Sequence, residues 1–418
     1  MKVAHLLRKY NPDEWGGTET AVMRLVEGLR GHATEPVVYC PRLPGATSGD
    51  PFAKAGIPVK RFRSMLPVWR IPKAQRHLMI AVGGNLLSFE LIGQLLREKA
   101  LALIHTHTLN RLGGTALTVA KMRRIPLVVT IHGGLFDLPR EVSAQLSRPL
   151  DGGIEWGRLF GFLLRSKKVV EAADAVVTCN AREAELIAER HPRQRVIVQS
   201  HSINARLYER ASADEVERHF PALGGHPFLL VLGRLDPVKN QQWLLEQAPA
   251  LLRRHPEMRF VFAGACTNEA YGETLRTAIR TLGLEDRALL AGGLPPEDPR
   301  LIGLLQRATA LVVPSQSETF GLVILEAWAA GTPVISSRTS GALGLVRDRE
   351  NGWLFELAEP DAFHAALDEI VARPERAAAA AALGRAEVRR NYDSAVLTGK
   401  MKELYCELIA RKQSRCTT

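Results

Sequence analysis

Short apolar runs alternate with longer amphipathic stretches through most of the chain. Residues 3–7, 37–40, 101–105, 127–131, 175–179 and 196–199 read as strands, and 19–30, 113–124 and 167–173 as helices. The pattern then restarts. Strands are expected at 228–232, 259–263, 288–290, 310–313 and 333–336, and helices at 241–254, 274–282, 300–308 and 322–330. Strand–helix alternation predicts parallel sheets covered by helices on both faces. Two such series predict an α/β chain of two doubly wound domains facing across a cleft. The breaker cluster Ala222-Leu223-Gly224-Gly225-His226-Pro227 puts the boundary within 200–226. Ligands of such domains bind beyond the carboxyl ends of the strands. The tail 375–412 reads as helix with a break at Asn391.

Composition narrows the class. The chain has 418 residues, 46% hydrophobic and 24% charged, as in a soluble globular protein of two or three domains. It has no apolar run long enough to span a membrane, and its first residues are too short an apolar run for a signal peptide. Five cysteines (Cys40, Cys179, Cys266, Cys406 and Cys416) are scattered without a CxxC pair. That spacing argues against a disulfide framework or a zinc cluster, and predicts reduced thiols in a cytoplasmic protein, three of them on buried strands or loops.

The net charge of +11 invites a nucleic-acid partner. No nucleic-acid motif is present, however, and part of the charge is concentrated. Residues 51–89 contain no Asp or Glu, yet hold Lys54, Lys60, Arg61, Arg63, Arg70, Lys73 and Arg76 among Phe62, Met65, Leu66, Val68, Trp69 and Ile71. This segment is expected to dock on anionic lipid. The competing reading is a solvated loop with snorkelling cations.

Candidate chemistry follows the strands. Gly16-Gly17-Thr18-Glu19 opens a helix after the first strand, where glycine admits a ligand close to backbone N–H groups. It is not a GxGxxG dinucleotide fingerprint. His132-Gly133-Gly134 ends another strand. HGG also occurs in the oxyanion segment of lipase-like hydrolases, but this chain lacks the G-x-S-x-G elbow that class requires. His105 and His107 share a strand face and end it as polar groups near the cleft. A metal would need a third ligand, which the sequence does not suggest nearby.

The second half opens with Gly233-Arg234-Leu235-Asp236-Pro237-Val238-Lys239. Its guanidinium and ammonium can converge on one diphosphate. Ser317-Glu318-Thr319-Phe320-Gly321-Leu322 follows a later strand, and Glu326 lies in an otherwise apolar stretch beyond it. If helical throughout, the two glutamates stand about 12 Å apart on one side, a span suited to a nucleotide sugar. Carboxylates accept hydrogen bonds from sugar and ribose hydroxyls.

Together these motifs resemble glycosyltransferase family 4, retaining enzymes of GT-B fold. Gly16-Gly17-Thr18-Glu19 with Gly31-His32 resembles its opening pattern, Val129 to Gly133 its strand-end histidine, and Gly233 to Lys239 its phosphate motif. Glu318 to Glu326 is similar to its E-x7-E signature. The resemblance implies that Arg234 and Lys239 hold the donor diphosphate without a metal or other cofactor. Glu326 would bind ribose, and Glu318 the transferred sugar. The backbone of Phe320, Gly321 and Leu322 would meet the diphosphate, with Gly17 beside the cleft and His132 against the sugar. Expected partners are a UDP- or GDP-sugar and a glycan or lipid-linked acceptor, with no nucleic acid. The reaction would serve polysaccharide or glycoconjugate biosynthesis in the cytoplasm or at the inner face of the plasma membrane.

The family's N-G-[VI]-D segment is replaced here by Val198-Gln199-Ser200-His201-Ser202-Ile203-Asn204-Ala205, so the contacts of that loop do not carry over. This departure motivates an alternative, a non-catalytic GT-B protein that binds a nucleotide sugar or glycan. The implied domains are 1–205 (acceptor), 206–390 (donor) and a helix at 391–418 returning to the first.

Overall fold

Both strand series form parallel sheets. The computed structural model describes residues 1–10, 17–42, 50–73, 76, 79–80, 84–132 and 154–417. It divides into two units, Met1–Ser200 with Ala395–Thr418, and His201–Ser394.

The strands of the first unit are β1 (Lys2–Leu6), β2 (Glu35–Pro41), β3 (Val59–Phe62), β4 (Val68–Trp69), β5 (Leu101–Thr106), β6 (Leu127–Ile131), β7 (Ile154–Glu155), β8 (Ala175–Thr178) and β9 (Val196–Val198). Seven of them form a sheet in the order β3-β2-β1-β5-β6-β8-β9, while β4 and β7 pair antiparallel. Chain order reverses between β1 and β5, which makes the space beyond their carboxyl ends the topological switch point.

Alternate residues serve opposite faces. Ala4, Leu6, Ile104, Val129 and Val176 face one core, and Val3, Leu103, Val128, Ala175 and Val177 face another. The second core is completed by Met401, Leu404, Tyr405 and Leu408 of the last helix, Ser394–Thr417. That cover is why the central strands are mostly apolar on both faces. Ion pairs Arg195–Glu407 (2.7 Å) and Lys412–Asp174 (2.8 Å) flank it.

The second unit holds β10 (Phe228–Leu232), β11 (Arg259–Ala263), β12 (Ala288–Gly292), β13 (Ala310–Val313), β14 (Val334–Ser337) and β15 (Trp353–Phe355), in the order β12-β11-β10-β13-β14-β15. The reversal falls between β10 and β13. Leu229, Val231, Phe260, Phe262, Val312 and Ile335 pack against Leu244, Leu245, Phe363 and Leu367.

Several expectations are corrected. The edge strands β3 and β15 are absent from the sequence reading. The first of these carries Lys60 and Arg61, and charge on an edge strand masks the apolar signal. The segment 167–173 is a tight turn, Ser166–Lys168, followed by the short helix Val169–Ala172. The break expected at Asn391, by contrast, is present as a wide turn, Val388–Tyr392, between helices Pro374–Glu387 and Ser394–Thr417. The unit boundaries fall after Ser200 and Ser394 rather than after 205 and 390. Ile203 explains the shift: its N–H donates to Tyr392 O (2.9 Å) and its carbonyl accepts from Ser394 N (2.8 Å). Among the described residues no helix is long and apolar enough to cross a membrane. Cys40 and Cys179 are buried and Cys266 half-buried, all as free thiols, and burial pushes the Cys40 thiol up to about 12.

Candidate functional site

The loops leaving β10, β11 and β13 converge at the switch point of the second unit. Asp236 builds the first: its carboxylate accepts from Val238 N (2.8 Å) and its carbonyl from Lys239 N (2.9 Å). The chain thereby folds back, and the Lys239 methylenes lie 3.6 Å from where a Gly233 side chain would begin. Gly264, just past β11, supports this turn from beneath. A Cβ there would stand 1.9 Å from Gly233 O. The β13 loop is tied to the same place by Gln316 N donating to Val238 O (2.9 Å).

This arrangement joins residues far apart in sequence. Lys239 Nζ makes an ion pair with a Glu318 carboxylate oxygen, both largely shielded from water. Arg234 is exposed, and among the described residues its guanidinium has no acceptor. The Glu318 carbonyl is held by Gly341 N (2.7 Å) and Ser340 Oγ (3.2 Å). Phe320 is buried, with the His201 ring edge-on to it at 5.0 Å and Tyr392 at 6.2 Å.

Gly321 has φ 91°, and helix Leu322–Ala330 starts only after it. The helix begins at Leu322, as the sequence predicts, so the two glutamates do not share one continuous helix. Glu318 sits in a loop whose carbonyl is taken by residues 340–341, and Glu326 sits in the second turn of the helix. Glu326 is buried beside Leu325 and Ala327, which excludes a solvated face. The amino end of this helix, carrying Gly321 and Leu322, is the positive pole of its dipole.

In the first unit Gly17 begins helix Gly17–Arg30, and among the described residues nothing lies within 4 Å of a side chain built there. Gly16, Gly133 and Gly134 lie outside the described residues. His132 follows β6, its Nε2 2.9 Å from His107 Nδ1. His107 Nε2 in turn lies 3.2 Å from His5 Nδ1. His105 is fully buried, with Nδ1 2.5 Å from Tyr405 Oη and Nε2 2.6 Å from Thr130 Oγ1. Burial pushes His5 down to about 3, and burial reinforced by His5 and His132 pushes His105 well below the ordinary histidine range. Both rings are neutral at pH 7. His5 supplies the third imidazole that the sequence left out, with ring nitrogens of His5, His105 and His107 within 4.8 Å of one another. Both His105 nitrogens, however, are already engaged by hydroxyls.

Of the seven cations in 51–89, three have partners within the chain. Lys60 pairs with Glu98, Arg61 with Asp50 (3.0 Å), and Arg76 donates to the carbonyls of Leu66 (2.8 Å) and Val68. Arg63, Arg70 and Lys73 are exposed, as are Met65, Trp69 and Phe89. A further segment joins them. Trp69 lies 6.0 Å from Trp156, Trp156 6.0 Å from Phe160, and Phe160 5.4 Å from Phe89. Leu159, Phe162 and Leu163 project from helix Arg158–Leu163, with Phe162 81% exposed. The only sequence signal for this segment is its aromatic and leucine density between Arg158 and Arg165. Buried Arg111 anchors it, donating to Gly157 O (2.9 Å) and pairing with Glu155. A separate cavity of about 580 Å³ opens at the opposite, amino ends of the second unit's strands, beside Pro227, Met258 and Pro333.

Residues 16–200 match the family model of the glycosyl transferase 4-like domain, and residues 213–386 that of glycosyl transferases group 1. A D-inositol 3-phosphate glycosyltransferase of Acidothermus cellulolyticus is 31% identical over 280 residues, 64% of this chain and 59% of that protein. The chain thus spans less than two thirds of that relative's length. A protein of the same name from Salinispora tropica is 30% identical over 369 residues, 81% of this chain and 73% of that one. The crystal structure of Anabaena HepE in complex with UDP and glucose aligns with TM-score 0.73 at 18% identity, over 97% of this chain and 100% of that one. This last likeness is one of fold.

Proposed function

The chain belongs to glycosyltransferase family 4, with the GT-B fold, and from that premise we propose that it transfers a hexosyl unit from a UDP- or GDP-sugar to a glycan or lipid-linked acceptor with retention of configuration. The observation that carries the reading is the convergence of Arg234, Lys239, Glu318 and the Glu326 helix at one switch point. Arg234 is the free cation that meets the diphosphate. Lys239, oriented by Glu318, adds a second charge that offsets the one developing on the leaving phosphate. The Gly321–Leu322 backbone at the helix start receives phosphate oxygens. Glu318 accepts from hydroxyls of the sugar and Glu326 from the ribose. In the first unit, Gly17 lies beside the ligand, and His132 serves the transferred sugar.

A donor screen by nucleotide release tests this. One UDP- or GDP-sugar should turn over, with loss in Lys239→Ala and Glu326→Ala, and EDTA should leave the rate unchanged because cations of the chain neutralise the diphosphate. Tight binding of a donor with no release in the presence of any acceptor would establish the binding-protein alternative instead. The acceptor panel includes inositol phosphate, since the two curated relatives are named for it. The anomeric configuration of the product decides retention.

The first unit's aromatic surface supports a peripheral membrane contact for a lipid-linked acceptor. Trp69, Phe89, Leu159, Phe162 and Leu163 supply apolar area, and Arg63, Arg70, Arg158 and Arg165 complement anionic headgroups. Flotation with phosphatidylglycerol vesicles should capture the protein, and Trp69→Ser with Phe162→Ser should release it. Equal flotation of that variant would remove the proposal.

A further inference from the structure

The helix that follows the Gly233–Lys239 turn, Gln241–Arg254, opens with a residue its own pattern does not call for. Positions 241, 244, 245 and 248 recur at i, i+3, i+4 and i+7, the spacing of a face turned to the core. Gln241, Leu244, Leu245 and Ala248 are all fully buried there. The last three belong to the apolar core of the second unit. An apolar side chain is expected at position 241, yet the chain has a glutamine.

Its amide reaches back into the turn. Nε2 donates to Arg234 O (2.8 Å) and meets Gly233 O at 3.5 Å. Two carbonyl oxygens on one side fix the orientation of the amide, since only its nitrogen can donate to them. Oε1 is turned away, and it has no hydrogen-bond partner among the described residues. A buried acceptor left unpaired costs stability, a cost that an apolar side chain of the same size does not carry. The start of the helix is itself held. Gln242 N donates to the Tyr271 hydroxyl (3.1 Å), and Asn240 N, at a residue with φ 57°, donates to Asp236 O (3.3 Å). Across the turn, Gly233 N and Leu235 N donate to Ala263 O and Ala265 O, 2.9 Å each. Gln241 is the tie between these two supports.

We infer that Gln241 is a positioning residue for the donor diphosphate: by holding the Arg234 carbonyl, it sets the direction in which the Arg234 side chain leaves the turn. The inference rests on the reading that Arg234 meets the diphosphate. The Arg234 side chain is exposed, so its placement depends on the backbone that carries it. A peptide fixed before the donor arrives avoids the ordering cost that a mobile loop incurs on binding. The glutamine thus lowers stability through its unpaired oxygen and raises affinity through its N–H. Replacing it should separate the two effects.

The test is Gln241→Met in the full-length protein, a change that keeps the side chain's length, suits the apolar face and cannot donate. It should melt no lower than wild type, because the unpaired oxygen is gone and water reaches the exposed Arg234 in place of the amide. Nucleotide release should show kcat/KM down by about 10- to 100-fold, the upper figure being the effect of a misplacement near 1 Å, with donor KM rising more than kcat falls. Calorimetry should show the affinity for UDP or GDP, whichever the wild type binds, reduced by a similar factor. Saturation-transfer NMR should show the affinity for uridine or guanosine unchanged, since the nucleoside has no phosphate for Arg234 to meet. Gln241→Leu gives a second route if Gln241→Met does not fold. A lowered melting temperature with nucleoside and diphosphate affinities falling together would mark the glutamine as merely structural and overturn the inference. So would a folded Gln241→Met protein with wild-type diphosphate affinity. The two readings fail differently. If the wild type binds neither UDP nor GDP, the donor site falls and the role of Gln241 with it, whereas binding that survives the substitution removes Gln241 alone.

Discussion

Gly264→Ala perturbs the proposed donor site without replacing any residue assigned to it. The added Cβ would lie 1.9 Å from Gly233 O, 2.4 Å from its carbonyl carbon and 3.0 Å from Arg234 N. These are backbone atoms, so no side chain can rotate away. Restoring an ordinary contact of about 3.4 Å requires the Gly233–Arg234 peptide to move by about 1.5 Å relative to β11. Overpacking of this kind costs about 1–3 kcal/mol of stability, which leaves a domain of this size folded. The functional cost is larger, because the displaced peptide starts the turn that carries Arg234 and Lys239. A misplacement of about 1 Å in a positioning element reduces turnover by about 10²-fold. Nucleotide release should therefore show kcat/KM down by roughly that factor, and calorimetry should show weakened binding of the nucleoside diphosphate. Gly93→Ala is the control: it lies in helix Phe89–Arg97, with its nearest neighbour, the Arg97 guanidinium, 4.0 Å away. It should leave the rate unchanged. A folded Gly264→Ala protein with wild-type kcat/KM and diphosphate affinity would refute the placement of the donor phosphates at this loop.

Two further outcomes follow from the geometry. Burial raises the Glu98 pKa, but hydrogen bonds from Lys60, Tyr39 and Lys2 outweigh it and hold the carboxyl at about 2. Its stabilising effect is full above the ordinary value of 4.5 and is lost as pH falls towards 2. Glu98→Gln should therefore cost about 3 kcal/mol in urea unfolding at pH 7, and the difference from wild type should shrink steadily below pH 4.5. An undiminished difference at low pH would show that the cost is not ionic. His201→Ala removes the ring edge packed on Phe320, a contact of about 0.5–1.5 kcal/mol, so donor KM should rise by about 2- to 10-fold while His201→Phe stays near wild type. An unchanged KM would detach His201 from the donor loop.

What was legible in the sequence, and what was not, divides by the range of the interaction. The strands, the glycine turn at Gly233 and the helix over residues 322–330 are local, encoded in runs of fewer than about fifteen residues. The meeting of Lys239 with Glu318 was implied only through the family resemblance, since no spacing rule relates residues in different β-α loops. His5 went unread because its meaning depends on β1 lying beside β5, where register sets His5 opposite His105. A histidine in an apolar run carries no mark of its cross-strand neighbour. The loop before the helix over 322–330 was not legible. Gly321 takes a left-handed conformation, and the carbonyl of Glu318 is spent on residues 340–341, a partner that sequence periodicity cannot show. That loop bears on the proposed chemistry. A continuous helix would consume the N–H groups of residues 322–324 in bonds to the preceding turn. Because the helix begins at Leu322, the first of those donors are left for an anion. The break at Gly321 is thus the feature that gives the proposed diphosphate its place.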